Sequence, residues 1–531
     1  MAAVSSTKEG RETVNDFLKF LNVSCTAFHA CDEVGRRLGT KGFVKLNERD
    51  DWKKILKPGG KYFFTRNGST IVAFAVGKKY KPGNGVVMIG AHTDSPCLKL
   101  KPVSKVTKSG YNQIGVQCYG GGLWTTWFDR DLTVAGRVLV KRDGVPSHEL
   151  VRVPKSLCRI PSLAIHLNRG SGTEFKINKE NHLNAVLESV SYPLRAKAPH
   201  AEMEKSNKSD TEDKFAPPTE FGAPPRAQHH WGLLDLIAKE LKCKIEDIID
   251  IELQLIDTQD SCLGGACDEF IYSGRLDNLA SVYVVTSLHF FTLLLTHSPH
   301  THRYMTTQAM MDTCDDLDSE KSIRAFACFD HEEVGSRSAQ GAGGPIIMDT
   351  MRRLASCFGG DEEGAVERML QSSFLISSDM AHGIHPNYAA KHQTQHAPMM
   401  HQGIVIKHNV NQRYATNMLS CVLFRQMAGY AKAPIQEFVV RNDSACGSTI
   451  GPIVAGNTGM RTVDVGGAQW SMHSIREIMG TDDVIYGVRT FRSAFKNFSA
   501  LSGKLFFCGT CNSGSGAFTL RGFGSGGLKK F

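Results

Sequence analysis

The chain has 531 residues, of which 41% are apolar and 22% are charged, and its formal net charge is +9. This length exceeds what one compact core usually holds, so we expect two or more domains in a globular protein of ordinary composition. Its lysines and arginines are scattered rather than clustered, which argues against a nucleic-acid-binding surface.

The N-terminal segment does not predict a secretory signal, because it has no apolar core. It is amphipathic, and the apolar residues on one helical face are Val14, Phe17, Leu18 and Leu21. The longest apolar stretch, residues 282–295, is shorter than the roughly 18 residues that read as a membrane span, so we expect a buried helix or strand there. The 15 cysteines lack the spacing of a disulfide framework. We therefore expect a cytoplasmic protein without membrane partners.

Short apolar runs that end in polar, often glycine-rich loops recur along the chain. They are residues 85–90, 269–274, 323–329, 372–377 and 460–465. Continuous runs of this kind are typical of strands buried on both faces, and helical segments such as 278–288 follow some of them. The pattern predicts an α/β fold, in which a mixed sheet is flanked by helices on both faces.

The middle of the chain has a different pattern. From about residue 101 to 250 the segments are β-rich and alternating, and the polar stretch 200–230 predicts a flexible surface loop. We therefore predict a catalytic domain in two parts, 1–100 and 251–507, interrupted by an inserted β-rich domain at 101–250. The Gly/Ser-rich tail, 508–531, is expected to be disordered.

The loops after the apolar runs carry residues of the types that bind metal ions. In chain order they are His92 and Asp94, Asp277, Glu332 and Glu333, Asp379, and His473. Loops at the carboxyl ends of strands in an open α/β sheet meet over one crevice, so these residues can converge. Two divalent metals about 4 Å apart need a bridging carboxylate and one or two histidine or carboxylate ligands each. The residues that supply this set are His92, Asp277, Glu333, Asp379 and His473.

The adjacent glutamates suggest a division of roles. Glu333 would bind a metal, and Glu332 would act as general base toward a water that the two metals activate. Asp94 could orient the imidazole of His92 without itself binding a metal. The segment HEEVG has Gly335 where the helical zinc motif HExxH has its second histidine, which argues against a single-zinc helical site.

Seven segments of the chain resemble those of the aspartyl aminopeptidase family. They are GAHTDSPCLKLKP, YGGGLWTTWFDRDLTVAGRV, RLDNL, DHEEVGSRSAQGA, SSDMAHGIHPNY, RNDSACGSTIGP and MHSIREI, and the resemblance extends from about Val14 to Leu505. It implies a dinuclear zinc exopeptidase that releases N-terminal aspartate or glutamate from peptides. It also implies a β-rich dimerisation domain within the catalytic domain, and a homo-oligomer, a dodecamer built from dimers. Zinc is the expected metal, although histidine and carboxylate ligands also accept manganese or cobalt.

The resemblance also implies roles for single residues. His92 and Asp379 would hold one metal, Glu333 and His473 the other, and Asp277 would bridge them, with Glu332 as the base. His166 matches a histidine that reaches across the dimer interface and stabilises the oxyanion in the neighbouring site. Lys407 matches a lysine that binds the acidic side chain of the substrate, with Arg413 as a nearby alternative. His382 and His385 either line the substrate cleft or form hydrogen bonds within their loop.

Two alternatives remain open at this point. A dimetal carboxypeptidase or amide deacylase could use the same scaffold. Segment 288–311 is longer and more apolar than expected for the family, so it could also displace the strand before Glu332 and Glu333. The chain would then be an inactive scaffold or cargo protein.

Overall fold

The structure is a computed structural model. It describes residues 3–172, 174–192, 228–286, 313, 316–360 and 362–506. The segment 288–311 and the tail 508–531 lie outside the described residues, as does most of the predicted loop at 200–230. No helix in the described ranges is long and apolar enough to cross a membrane.

The described residues form nine α-helices and twenty β-strands. The helices are α1 (Lys8–Val23), α2 (Ala27–Thr40), α3 (Trp231–Leu241), α4 (Leu276–Thr286), α5 (Ile346–Cys357), α6 (Ala365–Gln371), α7 (Met418–Ala431), α8 (Ile450–Thr458) and α9 (Thr481–Phe506). The first ten strands are β1 (Val44–Lys45), β2 (Lys61–Arg66), β3 (Thr70–Val76), β4 (Val86–His92), β5 (Cys97–Lys108), β6 (Tyr111–Tyr119), β7 (Leu132–Arg142), β8 (Val145–Arg152), β9 (Ala185–Ser189) and β10 (Ile248–Asp257). The others are β11 (Cys262–Gly264), β12 (Phe270–Ser273), β13 (Ile323–Phe329), β14 (Phe374–Ser378), β15 (Ala381–His382), β16 (Ile404–His408), β17 (Ile435–Val439), β18 (Arg461–Gly466), β19 (Ala468–Trp470) and β20 (Glu477–Gly480).

A mixed sheet of nine strands forms the centre of the molecule, in the order β1-β2-β3-β13-β4-β14-β18-β16-β17. Every residue of β3, β4, β13 and β14 is buried, because helices cover both faces of the sheet. Side chains of α1, α2, α4, α7 and α9 share one apolar cluster with one face. Side chains of α5, α6 and α8 share another cluster with the opposite face. The predicted α/β fold with helices on both faces is thus confirmed.

A second sheet has six antiparallel strands in the order β8-β7-β10-β5-β6-β9. Its alternating buried and exposed positions reflect the alternating apolar pattern seen in the sequence. Leu233, Leu234 and Ile237 of α3 pack into the apolar cluster of this sheet. The six strands of this sheet all come from the β-rich part of the chain, between Cys97 and Asp257. The domain limits at residues 101 and 250 remain a prediction.

A third sheet of five short strands, in the order β11-β12-β20-β19-β15, corrects one step of the sequence interpretation. The runs before Asp277 and His473 were expected to be strands of the main sheet. The run before His473 is indeed β18 of the main sheet, but β19 of the small sheet lies between β18 and His473. The run before Asp277 is β12 of the small sheet instead. The chain leaves β18 at Gly466, where a Cβ atom would lie 1.7 Å from the carbonyl oxygen of Asp379. A side chain would therefore not fit at this position, where the chain passes from β18 to β19 of the small sheet.

Candidate active site

Three neighbouring parallel strands end at the same edge of the nine-stranded sheet and carry polar residues there. His92 is the last residue of β4, Glu332 and Glu333 lie in a 3-10 turn soon after β13, and Asp379 follows β14 directly. β4 lies between β13 and β14 and runs parallel to both. The carboxyl ends of these strands therefore present the four side chains side by side, as an open α/β sheet allows.

Asp277 and His473 reach the same place from the small sheet. The carboxylate of Glu477 in β20 accepts hydrogen bonds from the backbone N–H of Asp277 at 3.0 Å and from that of His473 at 2.7 Å. Burial and the neighbouring Asp277 carboxylate raise the pKa of Glu477 to about 8. Sequence reasoning missed Glu477. The available signal was a glutamate in an otherwise apolar short run, since buried glutamates are rare without partners.

The carboxylate of Asp277 lies between the two histidines. Its Oδ1 is 3.3 Å from Nε2 of His92, and its Oδ2 is 3.3 Å from Nε2 of His473. Asp379 Oδ1 lies 3.7 Å from His92 Nε2, and Glu333 Oε2 lies 3.4 Å from His473 Nε2. The cluster therefore contains two groups of three ligand atoms that share Asp277, and in each group the atoms lie within 4.8 Å of one another.

The donor set fits divalent cations. Ligand atoms about 2.0–2.2 Å from a tetrahedral zinc lie about 3.3–3.6 Å apart, which is close to the separations found here. Asp277 Oδ1 and Glu333 Oε1 are buried and have no hydrogen-bond partner within the described residues. A buried carboxylate oxygen without a partner is costly, and a cation would satisfy both atoms. Nitrogen and oxygen ligands of this kind suit zinc, manganese or cobalt.

Backbone carbonyls orient both imidazoles toward the carboxylates. Nδ1 of His92 donates to the carbonyl oxygen of Asp94 at 3.0 Å, and Nδ1 of His473 donates to that of Gly121 at 3.1 Å. Each Nε2 is thus left free to bind a cation, which is the usual arrangement around metal-ligating histidines. The sequence predicted that Asp94 would orient His92. The hydrogen bond that orients the ring is accepted by the backbone carbonyl of Asp94 rather than by its carboxylate.

The carboxylate of Asp94 instead organises the glutamate pair. Its two oxygens accept hydrogen bonds from the backbone N–H of Glu332 at 3.2 Å and of Glu333 at 3.1 Å. The hydroxyl of Tyr119, which the sequence analysis did not single out, donates to the same carboxylate at 2.6 Å. Gly120 follows with φ +72°, and a Cβ there would lie 3.1 Å from the Cβ of Glu333. The YGGG segment thus lies against the cluster.

The cluster holds more negative charge than it can keep without protons or cations. Burial raises the pKa of Glu332 to about 8, and repulsion from Asp379 and Asp277 adds to the shift. Burial would lower the pKa of the histidines, but the carboxylates outweigh it and raise the pKa of His473 to about 10 and that of His92 well above its usual value. Either bound protons or bound cations must therefore compensate the charge.

The cluster is open on one side. The His473 side chain is 31% exposed, whereas that of His92 is 2% exposed. Next to Asp379, Lys407 is buried; its ammonium donates to the carbonyl oxygen of Met380 at 3.0 Å and lies 3.8 Å from Asp379 Oδ2. The cluster is thus accessible at His473, and a buried cation lies beside its ligand Asp379.

The other three predicted site residues are less closely connected to the cluster. The ring of His382 in β15 packs edge-on against Phe438. The ring of His385 lies between the rings of Tyr388 and Trp470. His166 lies in an exposed turn of residues 165–167, and within the described residues no contact joins it to the ligand cluster.

The sequence matches the family profile of the aminopeptidase I zinc metalloproteases (M18) over residues 20–495. A probable aspartyl aminopeptidase of Ricinus communis is 49% identical over 514 residues, which cover 95% of this chain and 99% of that protein. Aspartyl aminopeptidase 4 of Saccharomyces cerevisiae is 44% identical over 501 residues, which cover 92% of this chain and 96% of that protein.

Solved structures resemble the fold over nearly its whole length. A cryo-EM structure of the Ape4 and Nbr1 complex has a TM-score of 0.84 at 39% identity, and it covers 98% of this chain and 93% of that chain. A structure of the S. cerevisiae mApe1 dodecamer has a TM-score of 0.76 at 28% identity, with 93% of this chain and 98% of that chain covered.

Proposed function

Because this chain belongs to the aminopeptidase I zinc metalloprotease (M18) family, and is therefore a metallo-aminopeptidase, we propose that it releases N-terminal aspartate or glutamate from peptides. The observation that carries the proposal is the pair of ligand groups that share the Asp277 carboxylate. His92 and Asp379 would hold one divalent cation, Glu333 and His473 would hold the other, and zinc is the proposed metal. Cations held by these residues would supply Lewis-acid chemistry, which lowers the pKa of a bound water and polarises a carbonyl.

Glu332 is the proposed general base. Its Oε2 lies 3.9 Å from His92 Nε2, so it faces the ligand cluster, and its backbone is held by the Asp94 carboxylate. A buried carboxylate with a raised pKa is suited to accept a proton near neutral pH and to return it. Glu332 would take the proton of the attacking water and pass it to the leaving amine.

Lys407 is the proposed recognition group for the acidic side chain. Its ammonium is buried, and the Met380 carbonyl accepts one of its three N–H groups. Its ion pair with Asp379, at 3.8 Å, is longer than a hydrogen bond, and a substrate carboxylate would give the ammonium a charge-assisted hydrogen bond. The curated relatives that carry the name aspartyl aminopeptidase support this specificity.

The proposed assembly is a dodecamer built from dimers, in which His166 of one subunit serves the site of its neighbour. The mApe1 dodecamer supports it at the level of the fold. The turn around His166 also exposes Leu163, Ile165 and Leu167, each about half exposed or more, and such apolar side chains are typical of an interface. A cytoplasmic location also remains a proposal.

The acidic specificity is tested with Lys407→Met. We expect kcat/KM for a peptide with N-terminal Asp to fall about 10- to 100-fold, which is the value of one hydrogen bond to a charged group. The Leu counterpart of the same peptide should change little, because it makes no such bond. The measurement is kcat/KM for both peptides with the wild type and the variant.

Arg413→Met is the matched control for this experiment. Arg413 is exposed and donates to the carbonyl oxygen of Cys446, so its loss should leave the preference for Asp unchanged. A wild type that cleaves both peptides equally well would contradict the proposed specificity. A loss of preference with Arg413→Met but not with Lys407→Met would transfer the role to Arg413.

A further inference from the structure

We propose that the chain has a second metal site, separate from the active site, in which His408, Cys421 and Glu437 bind one borderline divalent cation such as Zn²⁺. One ligand atom from each residue lies within 4.8 Å of the other two. The site lies between β16, β17 and α7, and it shares no residue with the catalytic cluster.

The secondary structure brings the three residues together. His408 ends β16, and Glu437 lies in the adjacent parallel strand β17 opposite Ile406. Because side chains two residues apart point to the same face of a strand, His408 and Glu437 share one face. Cys421 lies one turn after the N-cap of α7, on the buried face of this helix. The helix therefore places a thiol over the two strand residues.

The imidazole of His408 is available as a ligand. Its Nε2 lies 3.0 Å from Glu437 Oε2, but the geometry is not that of a hydrogen bond, and this buried nitrogen has no hydrogen-bond partner within the described residues. Burial lowers the pKa of His408 even though the Glu437 carboxylate opposes the shift. The unpartnered Nε2 is the atom through which a neutral imidazole would bind a metal.

The other two ligands complete a mixed donor set. Arg425 binds Oε1 of Glu437, which leaves Oε2 for a cation. Cys421 is a buried, free thiol. One sulfur, one nitrogen and one oxygen ligand suit zinc or cobalt better than calcium or magnesium, which prefer oxygen alone. With three protein ligands, a tetrahedral ion would keep one further position.

The alternative is a His408–Glu437 contact beside a cysteine that only packs. The two interpretations differ in the state of the sulfur. A cysteine that only packs keeps the protonated thiol that is usual for cysteine near neutral pH. A bound cation deprotonates a coordinating thiol, and the sulfur becomes a thiolate ligand. A signal that reports thiolate–metal coordination therefore distinguishes the site from simple packing.

The experiment uses Co²⁺ with the full-length protein after its metals have been removed by chelation. The proposed catalytic ligands include no sulfur, so a near-ultraviolet charge-transfer band between thiolate and cobalt can come only from a cysteine site. We expect this band to saturate at a single cobalt ion per chain and to disappear when Zn²⁺ displaces the cobalt. We also expect its complete loss in Cys421→Ser.

Two further variants make the result decisive. Cys243→Ser removes a partly buried thiol in the loop after α3 and should keep the full band. His408→Gln keeps the thiol but removes the nitrogen ligand, so we expect the band to be lost in this variant as well. This second variant keeps the proposal testable if Cys421→Ser folds poorly. A wild type without the band, or a band that survives in both ligand variants, would overturn the proposal. Peptidase activity does not enter this readout, so it is independent of the proposed catalytic function.

Discussion

Glu332→Gln is expected to lower kcat for a peptide with N-terminal Asp by about 10²- to 10⁴-fold, the usual contribution of a general base. Glutamine has nearly the same shape but cannot accept the proton of the attacking water. The metal content should stay the same, because the proposed ligand at this turn is the neighbouring Glu333 and not Glu332. Steady-state kinetics and elemental analysis of the same sample measure the two quantities.

Glu367→Gln is the control for this variant. Glu367 lies on the exposed face of α6, and its substitution should change neither kcat nor the metal content. Full activity in Glu332→Gln would refute the assignment of the base. Loss of bound metal together with activity would instead show that Glu332 is a ligand.

Asp277→Asn is expected to lower kcat/KM by at least about a thousandfold and to reduce the bound metal. The shared carboxylate lies 3.3 Å from Nε2 of both histidines, so its charge serves both ligand groups. A neutral amide cannot offset the positive charge of two cations, and metal ions contribute several kcal/mol of transition-state stabilisation. Metal content per chain and kcat/KM for the Asp peptide are the measurements.

Asp268→Asn makes the same chemical change at an exposed position and should leave both quantities unchanged. A variant of Asp277 that binds the full amount of metal would show that this residue does not bridge two ions. The pair of ligand groups, which carries the proposed function, would then need another explanation.

The sequence predicted the part of the site that follows from sheet topology. His92, Glu333 and Asp379 follow continuous apolar runs, and such runs become parallel strands whose carboxyl ends meet. The rule requires no knowledge of distant contacts, so these three loops were placed correctly at one edge. The same rule assigned the run before Asp277 to the wrong sheet, and it missed the short strand β19 between β18 and His473, because strands of three or four residues have no distinctive periodicity.

The groups that hold the ligands in place could not be predicted from local patterns. Glu477 and Tyr119 act through hydrogen bonds to residues that are distant in the chain, such as Asp277 and Asp94. The backbone carbonyl of Gly121 orients His473. The sequence cannot indicate such a contact, because every residue has a backbone carbonyl. The role proposed for His166 depends on contacts between chains, which a single sequence does not contain.

The central claim is metal-dependent removal of an acidic N-terminal residue, and one measurement tests it most directly. It follows the release of free aspartate from a short peptide with N-terminal Asp, beside its Leu counterpart and its N-acetylated form, with added zinc and with chelator. We predict that only the Asp peptide with a free amine is cleaved efficiently, and that the chelator abolishes its cleavage. Cleavage of the acetylated peptide would indicate a deacylase or carboxypeptidase, and no cleavage by the folded protein would indicate an inactive scaffold.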